Sequence, residues 1–220
     1  MAWERPRTCP NVLLVEGTED LKTIPYIMEA NGIIWPEKPP KAPVWIEQYE
    51  GYSNLLKPEI LQTELLTNGL KALGMIIDSD ENFDTRWKEI RKSCLHSIPD
   101  LPEQLPQAGM IHETTNGIRF GLWMMPDNIS RGMLETFLSL MIPESNELIW
   151  QYAQDATSEA KKNGALFSTT HRDKANIYTW LAWQKPPGQP LPYAIKDKIL
   201  NPNHQNAQNF IAWFKRLYDL

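Results

Sequence analysis

Acidic residues follow two apolar segments of the chain at the points where those segments end. Glu16 comes directly after residues 12–15, and Asp78 and Asp80 come directly after residues 73–77. Both segments are typical of strands buried on both faces of a sheet. Paired carboxylates supply the hard oxygen ligands that Mg²⁺ prefers, so the pattern at residues 78–80 predicts a cation site. For Glu16 alone, a carboxylate that only caps a turn is an equally good interpretation.

The residues after Glu16 favour a turn that leads into a helix. Gly17 permits a tight turn that most residues would resist, and Thr18, Glu19 and Asp20 are residue types that begin helices. Strand, carboxylate and helix thus follow one another. In an open α/β sheet this is the crevice in which ligands bind, which favours a functional role for Glu16.

A calcium-binding EF-hand loop is a rival interpretation of the second acidic segment. Asp78, Asp80, Asn82 and Glu89 match positions one, three, five and twelve of that loop. Position six requires glycine for a sharp turn, and this chain has Phe83 there. The preceding residues also resemble a strand and not the entering helix of an EF-hand. Both differences argue against an EF-hand.

The periodicity of apolar residues predicts alternating strands and helices. The predicted strands are residues 12–15, 44–49 and 73–77, followed by a hairpin of residues 110–114 and 118–124 around Asn116-Gly117. The predicted helices are residues 19–30, 58–67, 87–94, a segment beginning at Ser130 or Gly132, and residues 144–162, 171–184 and 205–217. The pattern therefore predicts an α/β fold with a mostly parallel central sheet, helices on both faces, an added β-hairpin and a helical C-terminal third.

Composition limits the classes of function. The 220 residues carry a net charge of -5 at pH 7, which argues against a broadly basic surface that coats DNA. An acidic enzyme can still act on nucleic acid through a local patch or a metal ion. Two cysteines are too few for a disulfide framework, and no segment is apolar and long enough for a membrane span or a signal peptide. We therefore expect a cytoplasmic protein with no membrane partner.

Three short motifs in order resemble the Toprim domain, the catalytic module of topoisomerases, bacterial primases and overcoming-lysogenization-defect (OLD) nucleases. The first is Glu16-Gly17 with Asp20, and the second is the apolar strand that ends in Asp-Ser-Asp at residues 78–80. The third is Met-Pro-Asp-Asn at residues 125–128 with Gly-Met-Leu-Glu at residues 132–135. It looks closer still to a family of compact, uncharacterised Toprim-like proteins related to the OLD nucleases.

The resemblance implies a Toprim-like core in residues 1–142 and a helical extension in residues 143–220 that packs on it as one compact unit. It also implies that Glu16, Asp78 and Asp80 hold one or two Mg²⁺ or Mn²⁺ ions, with Glu16 as a ligand or as a general base. Such an ion activates water toward a phosphodiester. Second-tier candidates for a further metal or the surrounding shell are Gly17, Asp20, Asp127 and Glu135. Acids at helix starts that only face solvent are an equally good interpretation of the last three.

Differences from the better-known Toprim proteins narrow this expectation. The sequence has no glycine-rich phosphate loop of an ATPase, too few cysteines for a primase zinc ribbon and no room for the DNA-gate domains of a topoisomerase. We therefore expect a stand-alone protein that works with an ATPase partner. Lys174, in the basic segment with His171 and Arg172, is the candidate for stabilising transition-state charge. A solvated helix start is the alternative for each of these three residues.

The tryptophans of the C-terminal third allow two interpretations. Trp180, Trp183 and Trp213 could stack on nucleic-acid bases. Their helical spacing beside Ile177 and Phe210 favours packing on a core instead. Two functions remain open: a metal-dependent nuclease, favoured by the three acids, and a non-catalytic module that binds a nucleotide, a nucleic acid or a protein partner, favoured by the acidic net charge.

Overall fold

A five-stranded, mostly parallel sheet forms the centre of the protein. The computed structural model describes residues 5–6, 9–36 and 41–220. The strands are β1 (Asn11–Val15), β2 (Trp45–Gln48), β3 (Ala72–Asp78), β4 (Met110–Glu113) and β5 (Arg119–Met125). Their order is β2-β1-β3-β5-β4, and only β4 runs antiparallel to its neighbour. The predicted α/β class and the hairpin are confirmed.

Helices cover both faces of this sheet. They are α1 (Thr18–Ala30), α2 (Tyr52–Leu55), α3 (Pro58–Leu65), α4 (Phe83–Cys94), α5 (Leu134–Ser139), α6 (Glu147–Lys162), α7 (Arg172–Leu181), α8 (Leu191–Lys196) and α9 (Gln205–Tyr218). One face packs against α2, α3 and α4, and the other packs against α1 and α5 to α9. Alternate residues of each inner strand supply the two cores, as the pleat requires. Within the described residues, no helix is long and apolar enough to cross a membrane.

Several helix boundaries differ from the prediction for local reasons. Helix α4 begins at Phe83 and not at residue 87, because the Asn82 side chain accepts a hydrogen bond from the Thr85 amide at 2.9 Å and caps the helix four residues earlier. Helix α8 was not predicted, since prolines surround it. Its Pro192 lies in the first turn, where a helix tolerates proline.

Helix α9 lies against β3 and β5 through a pair of glycines. Gly74 and Gly121 are register partners in these strands. A Cβ atom built on Gly121 would stand 2.4 Å from the Leu217 side chain, so the helix approaches closer than any other residue would allow. The Tyr218 hydroxyl donates a buried hydrogen bond of 2.8 Å to the Val12 carbonyl, 206 residues away in sequence. Helix α9 is thus fixed to the centre of the sheet.

Two of the three tryptophans belong to the core. Trp180 and Trp213 are fully buried, which confirms the packing interpretation for both. Trp183 is 44% exposed and packs its ring against Tyr152 at a centroid distance of 5.5 Å. The prediction that Trp183 packs in the core was wrong, because α7 ends at Leu181 and leaves Trp183 beyond the helical spacing.

Candidate functional site

The predicted acids lie where the chain changes its direction across the sheet. Strand β1 has β2 on one side and β3 on the other, so its carboxyl end and that of β3 flank a crevice. Ligands of open α/β sheets bind at such a crevice. Val15, the last residue of β1, pairs with Ile76, two residues before the end of β3, which brings Glu16 close to Asp78.

Glu16 bridges the two strands. Its Oε1 atom accepts a hydrogen bond of 2.8 Å from the backbone amide of Asp78. The carboxylate of Asp78 in turn accepts a hydrogen bond of 3.0 Å from the amide of Leu134, the first residue of α5. A chain of contacts therefore joins β1, β3 and α5, and Glu16 does not cap its own turn. The second oxygen of each carboxylate has no hydrogen-bond partner among the described residues.

Asp20 and Gly17 form one turn beside Glu16. The Asp20 carboxylate accepts a hydrogen bond of 3.1 Å from the Gly17 amide, which secures the start of α1. Gly17 has a φ of -144° and a ψ of 175°, an extended conformation that any residue can adopt. A Cβ atom there would meet only Asp20 Oδ2, at an ordinary 3.6 Å. The prediction that a tight turn requires glycine at residue 17 was therefore wrong.

Asp80 is held by a loop and by an arginine. Its amide donates a hydrogen bond of 2.9 Å to the Gly132 carbonyl, and its φ of 52° is left-handed, a region that aspartate tolerates better than most residues. Ser79 Oγ donates to the Ser130 carbonyl at 2.8 Å, so two hydrogen bonds fix this segment. The Asp80 carboxylate pairs with the Arg86 guanidinium on α4.

Glu135 joins the group from α5. It is 5% exposed, and its Oε1 lies 3.0 Å from Lys174 Nζ on α7. The candidate lysine thus lies at the edge of the site and is paired. We define the acidic cluster as Asp78 together with the four carboxylates whose charges raise its pKa, which are Glu16, Asp20, Asp80 and Glu135.

Burial and mutual repulsion raise several pKa values in the acidic cluster. Burial is the largest cause of the rise in the pKa of Glu16 to about 7, while the Asp78 amide opposes the rise and the charge of Asp20 adds to it. The pKa of Asp20 also rises to about 7 through burial, against the hydrogen bond from Gly17 and with repulsion from Glu135. The pKa of Asp78 rises well above its usual value through burial and the other four charges.

Asp127 stands apart from the acidic cluster. Its Oδ1 accepts hydrogen bonds from the amides of Ile129 and Ser130 at 3.1 and 2.7 Å, and its Oδ2 accepts one from Ser130 Oγ at 2.9 Å. These contacts satisfy the carboxylate within its own turn. Sequence motif alone placed Asp127 among the candidates, and the structure gives it a local capping contact.

Arg86 is the residue that sequence reasoning missed. Its side chain is 10% exposed, contacts Asp80, and lies with its guanidinium carbon 3.6 Å from the centre of the Tyr52 ring. The signal was available, because Arg86 precedes Trp87 and has the spacing of Ile90, on the buried side of α4. A buried arginine requires an acidic partner, and Asp80 lies six residues before Arg86 in sequence.

The donors present suit a hard cation, although they are not arranged as a finished site. The five carboxylates of the acidic cluster offer oxygen ligands. Their charges repel one another, so a divalent cation would relieve the repulsion. Within the described ranges, no three histidine, cysteine, aspartate or glutamate side chains are placed so that they could hold a metal ion as they stand. Side chains would have to rotate to complete such a site.

Comparison with known proteins gives a family and no function. Neither the curated proteins nor the solved structures include one that matches this chain. A family model described as "Protein of unknown function (DUF3226)" matches residues 10–219, which span the sheet, the acidic cluster and α9. The chain therefore belongs to the family DUF3226.

Proposed function

We propose that the acidic cluster binds Mg²⁺ or Mn²⁺ and that the protein is a compact Toprim-like nuclease related to the OLD nucleases. The observation that carries the proposal is the hydrogen bond from the Asp78 amide to Glu16. It joins the carboxyl ends of two adjacent parallel strands through the side chain of a proposed ligand. If Glu16 served only the fold, it would not need the buried acids Asp20 and Glu135 in the same cluster.

Glu16, Asp78 and Asp80 are the proposed ligands, and Asp20 and Glu135 are proposed for the surrounding shell. A bound divalent cation would supply an activated water and would neutralise charge on a phosphodiester. Glu16 has a second role as a general base, since its Oε2 accepts no hydrogen bond from a described residue and could take a proton from the attacking water. Lys174 is proposed to stabilise transition-state charge once it leaves Glu135.

The finer features of the fold belong to the same proposal. Residues 1–142 would be the Toprim-like core, and residues 143–220 would be a helical extension packed on it. DNA or RNA would be the substrate, and an ATPase would be the protein partner. Helix α9 supports a single compact unit, because its Tyr218 reaches β1.

A non-catalytic binding module is the second candidate function. One observation favours it: the carboxylate of Asp80, a proposed ligand, is already paired with Arg86. Carboxylates used in this way can hold a crevice in shape without any cation. Such a module would bind a nucleotide, a nucleic acid or a protein partner in the same crevice.

The test is cleavage of three substrates by the purified protein. Supercoiled plasmid, linear duplex DNA and RNA are each incubated with Mg²⁺ or with Mn²⁺, and Mn²⁺ binding is followed by electron paramagnetic resonance. Asp78→Asn should abolish both cleavage and Mn²⁺ binding. Asp127→Asn is the matched control, because it removes an identical charge from a carboxylate outside the acidic cluster. Nucleic-acid binding without cleavage and without Mn²⁺ binding would favour the second candidate.

A further inference from the structure

Arg86 pairs with the Asp80 carboxylate, and its hydrogen-bonding capacity is only partly used. Its Nη2 pairs with Asp80, and its Nη1 reaches Glu89 only at 3.4 Å. Its Nε is buried and has no hydrogen-bond partner among the described residues. The guanidinium thus has one unpartnered donor and one weakly paired donor, and its carbon lies 3.6 Å from the centre of the Tyr52 ring.

A groove of about 480 Å³ opens beside this pair. Its walls include Arg86 and His171, the polar side chains of Asn82, Thr85 and Thr170, and the carboxylates of Asp80, Glu81 and Glu89. Hydroxyl, amide and guanidinium groups are the usual donors to phosphate oxygens, and the planar guanidinium can bind two of those oxygens at once. The groove thus offers a place in which an anionic group could compete with Asp80 for Arg86.

We propose that Arg86 holds the Asp80 carboxylate away from the cation site until an anion binds to Arg86. We call this arrangement the latch. When a phosphate group of the substrate pairs with Arg86, Asp80 is released to the acidic cluster and completes the ligand set. Cation and phosphate group then bind cooperatively, and the metal site is complete only when a substrate is present. This inference rests on the proposed function and adds the order in which its site is assembled.

The local geometry allows this exchange with little movement. The Asp80 amide remains bonded to the Gly132 carbonyl at 2.9 Å, so only the Asp80 side chain has to rotate. Without a cation, rotation toward Glu16 and Asp78 is opposed because it would bring a further charge to a buried group of acids, and pairing with Arg86 is favoured. A bound cation would attract the Asp80 carboxylate toward Glu16 and Asp78, and an anion on Arg86 would remove the pairing that holds Asp80 back. Each ligand therefore promotes the binding of the other.

The experiment is a double-mutant cycle on Mn²⁺ affinity, measured by electron paramagnetic resonance of free Mn²⁺. The variants are Arg86→Gln, Asp80→Asn and the double variant, each checked for folding by thermal melting. The latch predicts that Arg86→Gln raises Mn²⁺ affinity at least about fivefold and that the gain disappears when Asp80 is absent. A gain of equal size in the Asp80→Asn background would mean simple charge repulsion and would overturn the latch.

A measurement on the unaltered protein covers the case in which Arg86→Gln does not fold. Sodium sulfate replaces sodium chloride at constant ionic strength, because sulfate is a tetrahedral anion like phosphate. The latch predicts a higher affinity for Mn²⁺ in sulfate, and equal or lower affinity would overturn it. Mn²⁺ binding that is lost in Asp78→Asn but is insensitive to sulfate would leave the proposed function standing. Absence of Mn²⁺ binding in the wild type and in Arg86→Gln, with and without sulfate, would overturn both.

Discussion

Replacing Glu16 by glutamine should stabilise the protein and remove its response to metal. Glutamine keeps an oxygen that can accept the hydrogen bond from the Asp78 amide, so the contact between β1 and β3 survives. It removes a buried negative charge that lies beside Asp20 and Asp80. Stability and metal binding should therefore change in opposite directions, which no ordinary structural carboxylate would do.

The size of the effect follows from the pKa of Glu16. Because the pKa rises from 4.5 to about 7 on folding, ionised Glu16 lowers the free energy of unfolding by about 3 kcal/mol. The folded state binds more protons than the unfolded state between these two values, so wild-type stability falls as the pH rises through this window. Below pH 4.5 the variant and the wild type should have similar stability. The advantage of Glu16→Gln should grow from there and reach its full size above pH 7.

Urea unfolding from pH 4.5 to 8.5 measures this difference, and thermal melting with millimolar Mn²⁺ measures the metal response. The wild-type melting temperature should rise with Mn²⁺, and that of Glu16→Gln should not. Glu103→Gln is the matched control, because Glu103 is an exposed glutamate in the loop before β4. Parallel pH curves for wild type and Glu16→Gln, or a less stable variant at pH 8, would refute the reasoning about burial.

Three further substitutions test the packing around the site. Gly121→Ala should lower the free energy of unfolding by about 1–3 kcal/mol, measured by urea unfolding, because a methyl group would overlap the Leu217 side chain. Asn128→Ala should cost about 2–3 kcal/mol by the same measurement, because the buried amide of Met124 and a loop carbonyl lose their partner. Gly17→Ala should change stability by less than about 1 kcal/mol, and a larger loss would restore the requirement for glycine there.

The sheet and the central acids could be predicted because local patterns determine them. An apolar segment that ends in a carboxylate indicates the carboxyl end of a strand. The positions of Glu16 and Asp78 could be predicted from that pattern alone. The bridge between them is a consequence of parallel pairing, which places equivalent ends of neighbouring strands side by side. Asp20 and Glu135 were among the candidates, and the structure brings both to the same group.

The rest of the site depends on hydrogen bonds and on neighbouring helices that apolar periodicity does not specify. Arg86 was missed because an asparagine cap begins α4 earlier than its apolar periodicity suggests. The local role of Asp127 and the extended conformation of Gly17 depend on hydrogen bonds that residue types alone do not specify. The pairing of Lys174 with Glu135 requires α5 and α7 to be adjacent, and no periodicity predicts which helices become neighbours.

The glycine pair under α9 has a consequence for synthesis on the ribosome. All five strands are translated before residues 205–218, yet in the folded protein the side chains of α9 cover Gly74 and Gly121. Until α9 is available, the nascent chain exposes this apolar surface, and the Val12 carbonyl lacks the hydrogen bond from Tyr218. We therefore expect a partly folded intermediate during synthesis, in which this face of the sheet is completed only after α9 has left the exit tunnel.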